Sequence, residues 1–96
     1  MPKAKVAILM STYNGEKYLE DQVMSIVKQD YGDWHLYIRD DGSKDNTTSV
    51  IRDLEKRDDR ISFINKDKPQ NMGVTGSFME LLARVDADYY MFSDQD

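Results

Sequence analysis

The sequence contains no cysteine, one histidine and two prolines among its 96 residues. The absence of cysteine excludes disulfides and thiolate metal sites. The apolar run nearest the N-terminus, Val6–Met10, is too short for the hydrophobic region of a signal peptide or for a membrane-spanning helix. A formal net charge of −5 argues against a general nucleic-acid-binding protein, which normally has a basic face. We therefore expect one cytoplasmic domain over residues 1–96. Attachment to the inner face of the membrane by sequence beyond residue 96 stays open.

Strand-like and helix-like segments alternate along the chain. Short apolar, aromatic or branched runs predict the strands Val6–Met10, Trp34–Arg39, Ile61–Ile64 and Tyr89–Ser93. Apolar residues at helical spacing predict the intervening helices Glu16–Gln29, Thr47–Lys56 and Val74–Val85. Asn14 is expected to cap the first helix. This alternation is typical of an α/β fold with right-handed crossovers and a parallel sheet.

Polar segments follow three of the predicted strands, and parallel α/β sheets bind ligands beyond the carboxyl ends of their strands. These segments are Ser11-Thr12-Tyr13, Asp40-Asp41 and Asp94-Gln95-Asp96. Because the carboxyl ends of parallel strands lie at the same edge of the sheet, we expect the three segments to form one binding site.

Asp94 and Asp96 indicate a divalent metal site. Two carboxylates separated by one residue at a strand end can bind a hard cation such as Mg²⁺ or Mn²⁺. A ligand pyrophosphate would complete the coordination, and its neutralised charge would make a nucleoside diphosphate a better leaving group. The alternative interpretation is a solvated acidic pair on a loop.

The other two polar segments suit a nucleotide. The Asp40 carboxylate can accept a hydrogen bond from an imide N–H of uracil or thymine, and Gly42 allows close backbone approach. The hydroxyls and amides of Ser11–Gly15 suit a nucleoside diphosphate, with Tyr13 able to stack on the base or ribose. In the alternative interpretation, both segments are turns with helix caps, and Asp45 is one of the caps.

Four motifs in order carry a resemblance to a known family. They are S-T-Y-N-G-E-K-Y-L from residue 11, R-D-D-G-S-K-D-N-T from residue 39, N-M-G-V from residue 71 and Y-Y-M-F-S-D-Q-D from residue 89. Together they resemble the N-terminal half of family 2 glycosyltransferases over essentially the whole chain. The resemblance implies a GT-A (Rossmann-like) fold, a nucleotide-sugar donor, a Mg²⁺ or Mn²⁺ cofactor, and inverting transfer to an acceptor hydroxyl in bacterial polysaccharide or cell-surface glycan synthesis. The acceptor would be a glycan or a lipid-linked molecule.

The resemblance also implies roles for particular residues. Thr12 and Tyr13 would hold the nucleoside, Asp40 the base, Asp94 the ribose or sugar, and Asp96 the metal. The expected nucleotide-sugar-binding set is Ser11, Thr12, Tyr13, Asn14, Asp40, Asp41, Gly73 and Asp94, and the metal ligands are Asp96 and Asp94. We expect a sheet in the order 3-2-1-4, ending after the fourth strand, with helices on both faces and with Thr12, Asp40 and Asp96 at one edge.

The sequence departs from the family pattern in two ways. The family takes its general base from sequence after the D-x-D, where this chain ends. Thr75-Gly76-Ser77 stands where many members carry an Arg-Asn pair, so a positive donor contact from this helix is in doubt, and Lys66 or Lys68 are the substitutes. Ser93–Asp96 looks like the variant of rhamnosyltransferase-type members, which favours a thymidine nucleotide over a UDP-hexose.

Three other interpretations stay open at this point. A sugar nucleotidyltransferase would need a glycine-rich, basic first loop, which Ser11–Gly15 lacks. A phospho-acceptor receiver domain would carry its paired aspartates after the first strand, whereas Asp40-Asp41 follow the second. The 96 residues alone could also bind nucleotide and metal without transferring a sugar. The exposed fourth strand is further expected to favour self-association.

Overall fold

The computed structural model describes residues 5–29, 33–65 and 70–94. Strands and helices alternate along it, as the sequence pattern predicts. In chain order they are β1 (Val6–Thr12), α1 (Leu19–Lys28), β2 (Trp34–Asp40), α2 (Thr47–Arg57), β3 (Ile61–Phe63), α3 (Gly73–Arg84) and β4 (Tyr89–Asp94). No helix within these described ranges combines the length and the apolar character needed to cross a membrane.

The four strands form one parallel sheet in the order β3-β2-β1-β4, which confirms the predicted order. The central strand β1 pairs with β2 on one side and with β4 on the other. Its register places Ser11 opposite both Arg39 and Asp94, and Thr12 opposite Asp40. The carboxyl ends of the three strands therefore lie side by side.

Side chains alternate between two buried layers because successive residues of a strand point to opposite faces. Ile8 and Met10 of β1 pack in the layer that holds α1 and α2. Ala7 and Leu9 pack in the layer that holds Leu81 of α3. Helices therefore cover both faces of the sheet, as predicted.

The first helix begins later than its apolar pattern predicts. Helix α1 starts at Leu19, with Tyr18 at the cap position and no side-chain cap. The expectation that Asn14 caps this helix is wrong, because its Oδ1 accepts a hydrogen bond from the backbone N–H of Lys44 instead, at 2.8 Å. Asn14 adopts a left-handed backbone conformation with φ of 50°, which asparagine tolerates better than most residues.

Strand β4 has one neighbour in the described sheet, and its apolar and aromatic residues on both faces are exposed. Tyr89 is 62% exposed and Phe92 is 56% exposed, although Phe92 makes an edge-to-face contact with Phe78 at 5.2 Å between ring centroids. An edge strand with exposed apolar side chains and unpaired backbone groups is a template for strand pairing. Self-association through this edge stays a prediction.

We expect the chain to form concentration-dependent dimers, and Tyr89→Lys to weaken them because a charge on an open edge opposes strand pairing. Sedimentation velocity over a range of concentrations measures this. Tyr18→Lys is the matched control, since Tyr18 is 60% exposed but lies outside β4. A monomer at all concentrations, or an equal effect of both variants, would contradict the prediction.

The single histidine predicts how stability depends on pH. His35 is buried in β2, with Nε2 2.7 Å from Ser62 Oγ. Burial lowers the pKa of His35 below its ordinary value of 6.5, against the opposing charge of Asp58. The unfolded chain therefore binds the proton first as the pH falls. The free energy of unfolding is expected to decrease below pH 6.5, toward the folded-state pKa.

Urea unfolding at pH values on both sides of 6.5 measures this dependence. His35→Gln does not titrate and keeps a polar partner for Ser62, so its stability should change less over the same range.

Asp58 also contributes to the pH dependence of stability, but in a separate range. The hydrogen bond from Arg60 lowers the pKa of Asp58 below its ordinary value of 3.8, so the stability from Asp58 is lost only under more acidic conditions. Parallel profiles for the variant and the original chain would contradict the assignment to His35.

Candidate nucleotide-binding site

Both layers of the sheet become polar at its carboxyl edge. On the face of α1 and α2, the apolar residues Ile8 and Met10 are followed by Thr12, which is fully buried. On the face of α3, Ala7 and Leu9 are followed by buried Ser11. The same switch occurs in β2, whose last two residues, Arg39 and Asp40, are buried and polar. The register therefore brings the polar ends of the two strands into two adjacent pairs.

The Asp40 carboxylate organises the turn after β2. It is fully buried and accepts four hydrogen bonds, which are from the Thr12 hydroxyl (2.9 Å), the Gly42 N–H (3.1 Å), the Ser43 N–H (2.7 Å) and the Ser43 hydroxyl (2.5 Å). A carboxylate has about four acceptor positions, so these donors occupy the group. Gly42 has a φ of 83°, and a Cβ there would lie 3.2 Å from the Asn71 nitrogen. The turn therefore requires a glycine.

Asn65 completes the backbone hydrogen bonding of Asp40 where β3 no longer reaches it. The last residue of β3 is Phe63, which pairs with Ile38. Beyond it, the Asn65 side chain accepts from the Asp40 N–H at 2.9 Å and donates to the Asp40 carbonyl at 2.7 Å. One amide side chain thus replaces a strand neighbour and satisfies two buried backbone groups.

The loops after β1 and β2 are hydrogen-bonded to each other. The Asn14 N–H donates to Ser43 Oγ, and the Gly15 N–H donates to Thr47 Oγ1, both at 2.8 Å. Asp45 accepts from the N–H of Thr47 at 2.9 Å and from its hydroxyl. Desolvation acts to raise the pKa of Asp45, but its hydrogen bonds hold that pKa below its ordinary value. The amides of Asn14 and Gly15 already have protein acceptors, so a phosphate at this loop would compete with them.

Asp41 connects the end of β2 to the start of α3. One of its carboxylate oxygens accepts from the Met72 N–H at 2.6 Å and pairs with the Arg39 guanidinium at 3.0 Å. Gly73 follows with a φ of 75°, and apart from its own chain neighbours and helix backbone no atom of the described residues lies within 4 Å of the position of a Cβ. The Asp41 carboxylate therefore anchors the segment that carries Gly73.

The structure brings the predicted nucleotide-binding residues together around one edge, at different depths. Ser11, Thr12, Asp40 and Asp41 are buried, whereas Tyr13, Asn14 and Gly73 are exposed. Asp94 is the last residue of β4, opposite Ser11. Asp96 lies outside the described residues, as do Lys66 and Lys68. The part of the prediction that joins Thr12 to Asp40 is confirmed by their hydrogen bond, and the part that includes Asp96 stays a prediction.

The chemistry of the predicted metal ligands fits a hard divalent cation. Asp94 and Asp96 both offer carboxylate oxygens, which are the ligands that Mg²⁺ and Mn²⁺ prefer. Within the described ranges, no three histidine, cysteine or acidic side chains are grouped to hold a metal ion. The predicted metal site at Asp94 and Asp96 therefore stays a prediction.

Sequence reasoning missed the buried polar residues behind the site, namely Arg39, Asn65 and Ser77. The sequence pattern places Arg39 at the end of a strand rich in aromatic and branched residues and at the start of a family motif, and Ser77 in a departure from the family pattern, and neither placement by itself indicates burial. The sequence does contain an indication that Arg39 is buried. Side chains two residues apart in a strand lie on the same face, so Arg39 lies on the face of Tyr37, which a helix is expected to cover. No comparable signal exists for Asn65, which contacts Asp40 across 25 residues of sequence.

Comparisons with known proteins agree with this arrangement. The family model for Glycosyl transferase family 2 matches residues 7–96. The chain is 34% identical over 93 residues to a GalNAc(5)-diNAcBac-PP-undecaprenol beta-1,3-glucosyltransferase of Campylobacter jejuni, covering 96% of this chain and 29% of the relative. It is 37% identical over 90 residues to the dTDP-rhamnosyl transferase RfbG of Shigella flexneri, covering 91% of this chain and 31% of the relative.

A solved structure has the same fold. The mannosyltransferase PcManGT of Pyrobaculum calidifontis, in complex with GDP-Man and Mn²⁺, superposes with a TM-score of 0.81 at 19% identity, covering 99% of this chain and 28% of that one. The chain thus spans less than a third of the length of these relatives. The strand order, the polar sheet edge and the family match together show that the chain adopts a GT-A fold and belongs to glycosyltransferase family 2.

Proposed function

We propose that the chain is the donor-binding part of a metal-dependent, inverting glycosyltransferase that uses a TDP- or UDP-sugar in bacterial polysaccharide or cell-surface glycan synthesis. The observation that carries the proposal is the register of β1, which aligns Ser11 with Asp94 and Thr12 with Asp40 at one sheet edge. Two of the three polar segments that the family uses for its donor are thereby adjacent, and the third begins beside them.

The described contacts support a division of roles at this edge. Tyr13 is 45% exposed and is proposed to contact the base or ribose. Asp40 is proposed to accept the imide N–H of the base. The Ser43 hydroxyl is the donor that gives way, because a hydroxyl can rotate while the Gly42 and Ser43 amides are fixed in the turn.

Asp94 and Asp96 are proposed to bind Mg²⁺ or Mn²⁺ together with the donor pyrophosphate. When bound, such an ion neutralises the charge that develops on the departing nucleoside diphosphate. The complex of the Pyrobaculum mannosyltransferase with GDP-Man and Mn²⁺ supports a divalent ion in this fold. The general base is proposed to follow residue 96, so the 96 residues alone would bind the donor without transferring the sugar.

The relatives support a thymidine or uridine donor and a lipid-linked or glycan acceptor. The Shigella relative is named as a dTDP-rhamnosyl transferase, and the name of the Campylobacter relative includes an undecaprenol-linked acceptor. A longer protein containing this chain is therefore proposed to act at the cytoplasmic face of the membrane.

We expect the 96-residue chain to bind UDP or TDP with Mn²⁺ in about the millimolar range, corresponding to roughly −4 kcal/mol. CDP is the matched control ligand, because cytosine has no imide N–H for the Asp40 carboxylate. Loss of one hydrogen bond to a charged group should weaken CDP by about tenfold. Titration calorimetry measures both affinities. Equal affinity for UDP and CDP would refute base recognition by Asp40, and no heat with any nucleotide would refute a donor site built from these residues alone.

In a longer, transfer-competent protein that contains this chain, Asp96→Ala should reduce sugar transfer by about a hundredfold or more, because the pyrophosphate loses its charge-neutralising ion. Asp94→Ala should also be severe. Asp88→Ala changes an acidic residue just before β4, at the opposite end of that strand, and should leave transfer unchanged. The assay follows sugar transfer with and without a chelator, and full activity in excess chelator would exclude metal dependence.

A further inference from the structure

Arg39 is a buried cation behind the nucleotide edge. Its side chain is only 1% exposed, although it belongs to an acidic chain with many exposed positions for a charge. Removing a guanidinium from water is costly unless ionic and hydrogen-bonding partners compensate it. The residues that bind the Arg39 guanidinium therefore identify the segments of the fold that it connects.

Those partners belong to separate parts of the chain. Nη1 donates to Asp41 at 3.0 Å and to Ser77 Oγ of α3 at 3.1 Å. Nη2 donates to the carbonyl of Gln70 at 2.9 Å. Nε lies 3.3 Å from a carboxylate oxygen of Glu80 but has no partner with hydrogen-bond geometry among the described residues. A planar fork is required to reach all of these groups, and a lysine ammonium has no such fork.

The contacts of Arg39 converge on the segment that begins α3. The oxygen of Asp41 that pairs with Arg39 also accepts from the Met72 N–H, and Gln70 lies just before it in the chain. Ser77, the helical partner of the guanidinium, also accepts from the Ser11 hydroxyl at 2.7 Å. The guanidinium therefore holds both sides of the segment leading to Gly73, and it joins that segment to β1 and β2.

We propose that Arg39 is a positioning residue for the nucleotide-sugar site, which holds residues 70–73 and the start of α3 against the carboxyl edge of the sheet. The expected effect on nucleotide affinity rests on the proposed donor-binding function. The role of Arg39 in holding residues 70–73 does not. Helix α3 has Thr75-Gly76-Ser77 in its first turns, without a cation, and the buried charge comes instead from β2. Arg39 acts through Asp41 and the backbone of Met72, without contacting the donor.

The test combines amide hydrogen exchange with nucleotide binding in the 96-residue chain. Arg39→Lys keeps the charge but loses the fork. It is expected to lower the protection of the Met72 amide by about tenfold or more, because a hydrogen bond to a charged group is weakened. The amide of Leu9, in the central strand, should keep its protection. The affinity for UDP or TDP with Mn²⁺ should fall by about tenfold in parallel.

Arg84→Lys is the matched control, because Arg84 also pairs with Glu80 but its side chain is 50% exposed. It should change neither readout. If Arg39→Lys does not fold, Ser77→Ala removes one acceptor of the guanidinium and provides the same selective test at Met72. Unchanged protection of Met72 in a folded variant would overturn the proposal, and so would selective loss of protection with unchanged affinity. Absence of nucleotide binding by the original chain would refute the donor-binding function, while the exchange result would still test the role of Arg39 in holding the segment.

Discussion

The parallel register between β1 and β2 is the constraint on which the other contacts at the sheet edge depend. It pairs Ser11 with Arg39 and Thr12 with Asp40. A slip of one residue would move every side chain of one strand to the opposite face of the sheet. Arg39 would then face the apolar layer of α1 and α2 without its acceptors. Burying the Arg39 charge without acceptors would be costly, and this cost favours the observed register. The alternation of apolar residues earlier in β1 and β2 favours it as well.

A consequence of this register is a sheet edge whose loops are held by hydrogen bonds within the protein. The Asp40 carboxylate supports its own turn, and the first loop donates backbone amides to side chains of the second loop. Such preorganisation reduces the conformational entropy lost on binding. It also means that a ligand must compete with protein hydrogen bonds at several positions. Tyr13 and Gly73 are exposed at this edge, next to the buried residues Thr12 and Asp41 that hold the two loops.

The polar groups at the edge are separated by the sheet into two networks. Thr12, Asp40 and Ser43 belong to the network on the side of α1 and α2. Ser11, Arg39, Asp41 and Ser77 belong to the network on the side of α3. In the first network, the described donors to the Asp40 carboxylate are neutral hydroxyl and amide groups. The second contains the cation Arg39, which pairs with Asp41 and lies close to the carboxylate of Glu80. Both meet at the peptide that links Asp40 to Asp41, so a change in either network reaches the same turn.

The sequence by itself determined the strand–helix alternation, the strand order and the family, because apolar periodicity and ordered motifs are local properties of the chain. The sequence predicted the ends of the strands less accurately. Strand β1 continues to Thr12 and β2 to Asp40, since polar side chains that find partners across the ladder can extend a strand beyond its apolar run. Only the tertiary structure decided that Asn14 joins the second loop instead of capping α1, and that Arg39 is buried. Those outcomes depend on hydrogen bonds between residues 29 to 38 positions apart, such as Asn14 with Ser43 and Arg39 with Ser77, which no local pattern encodes.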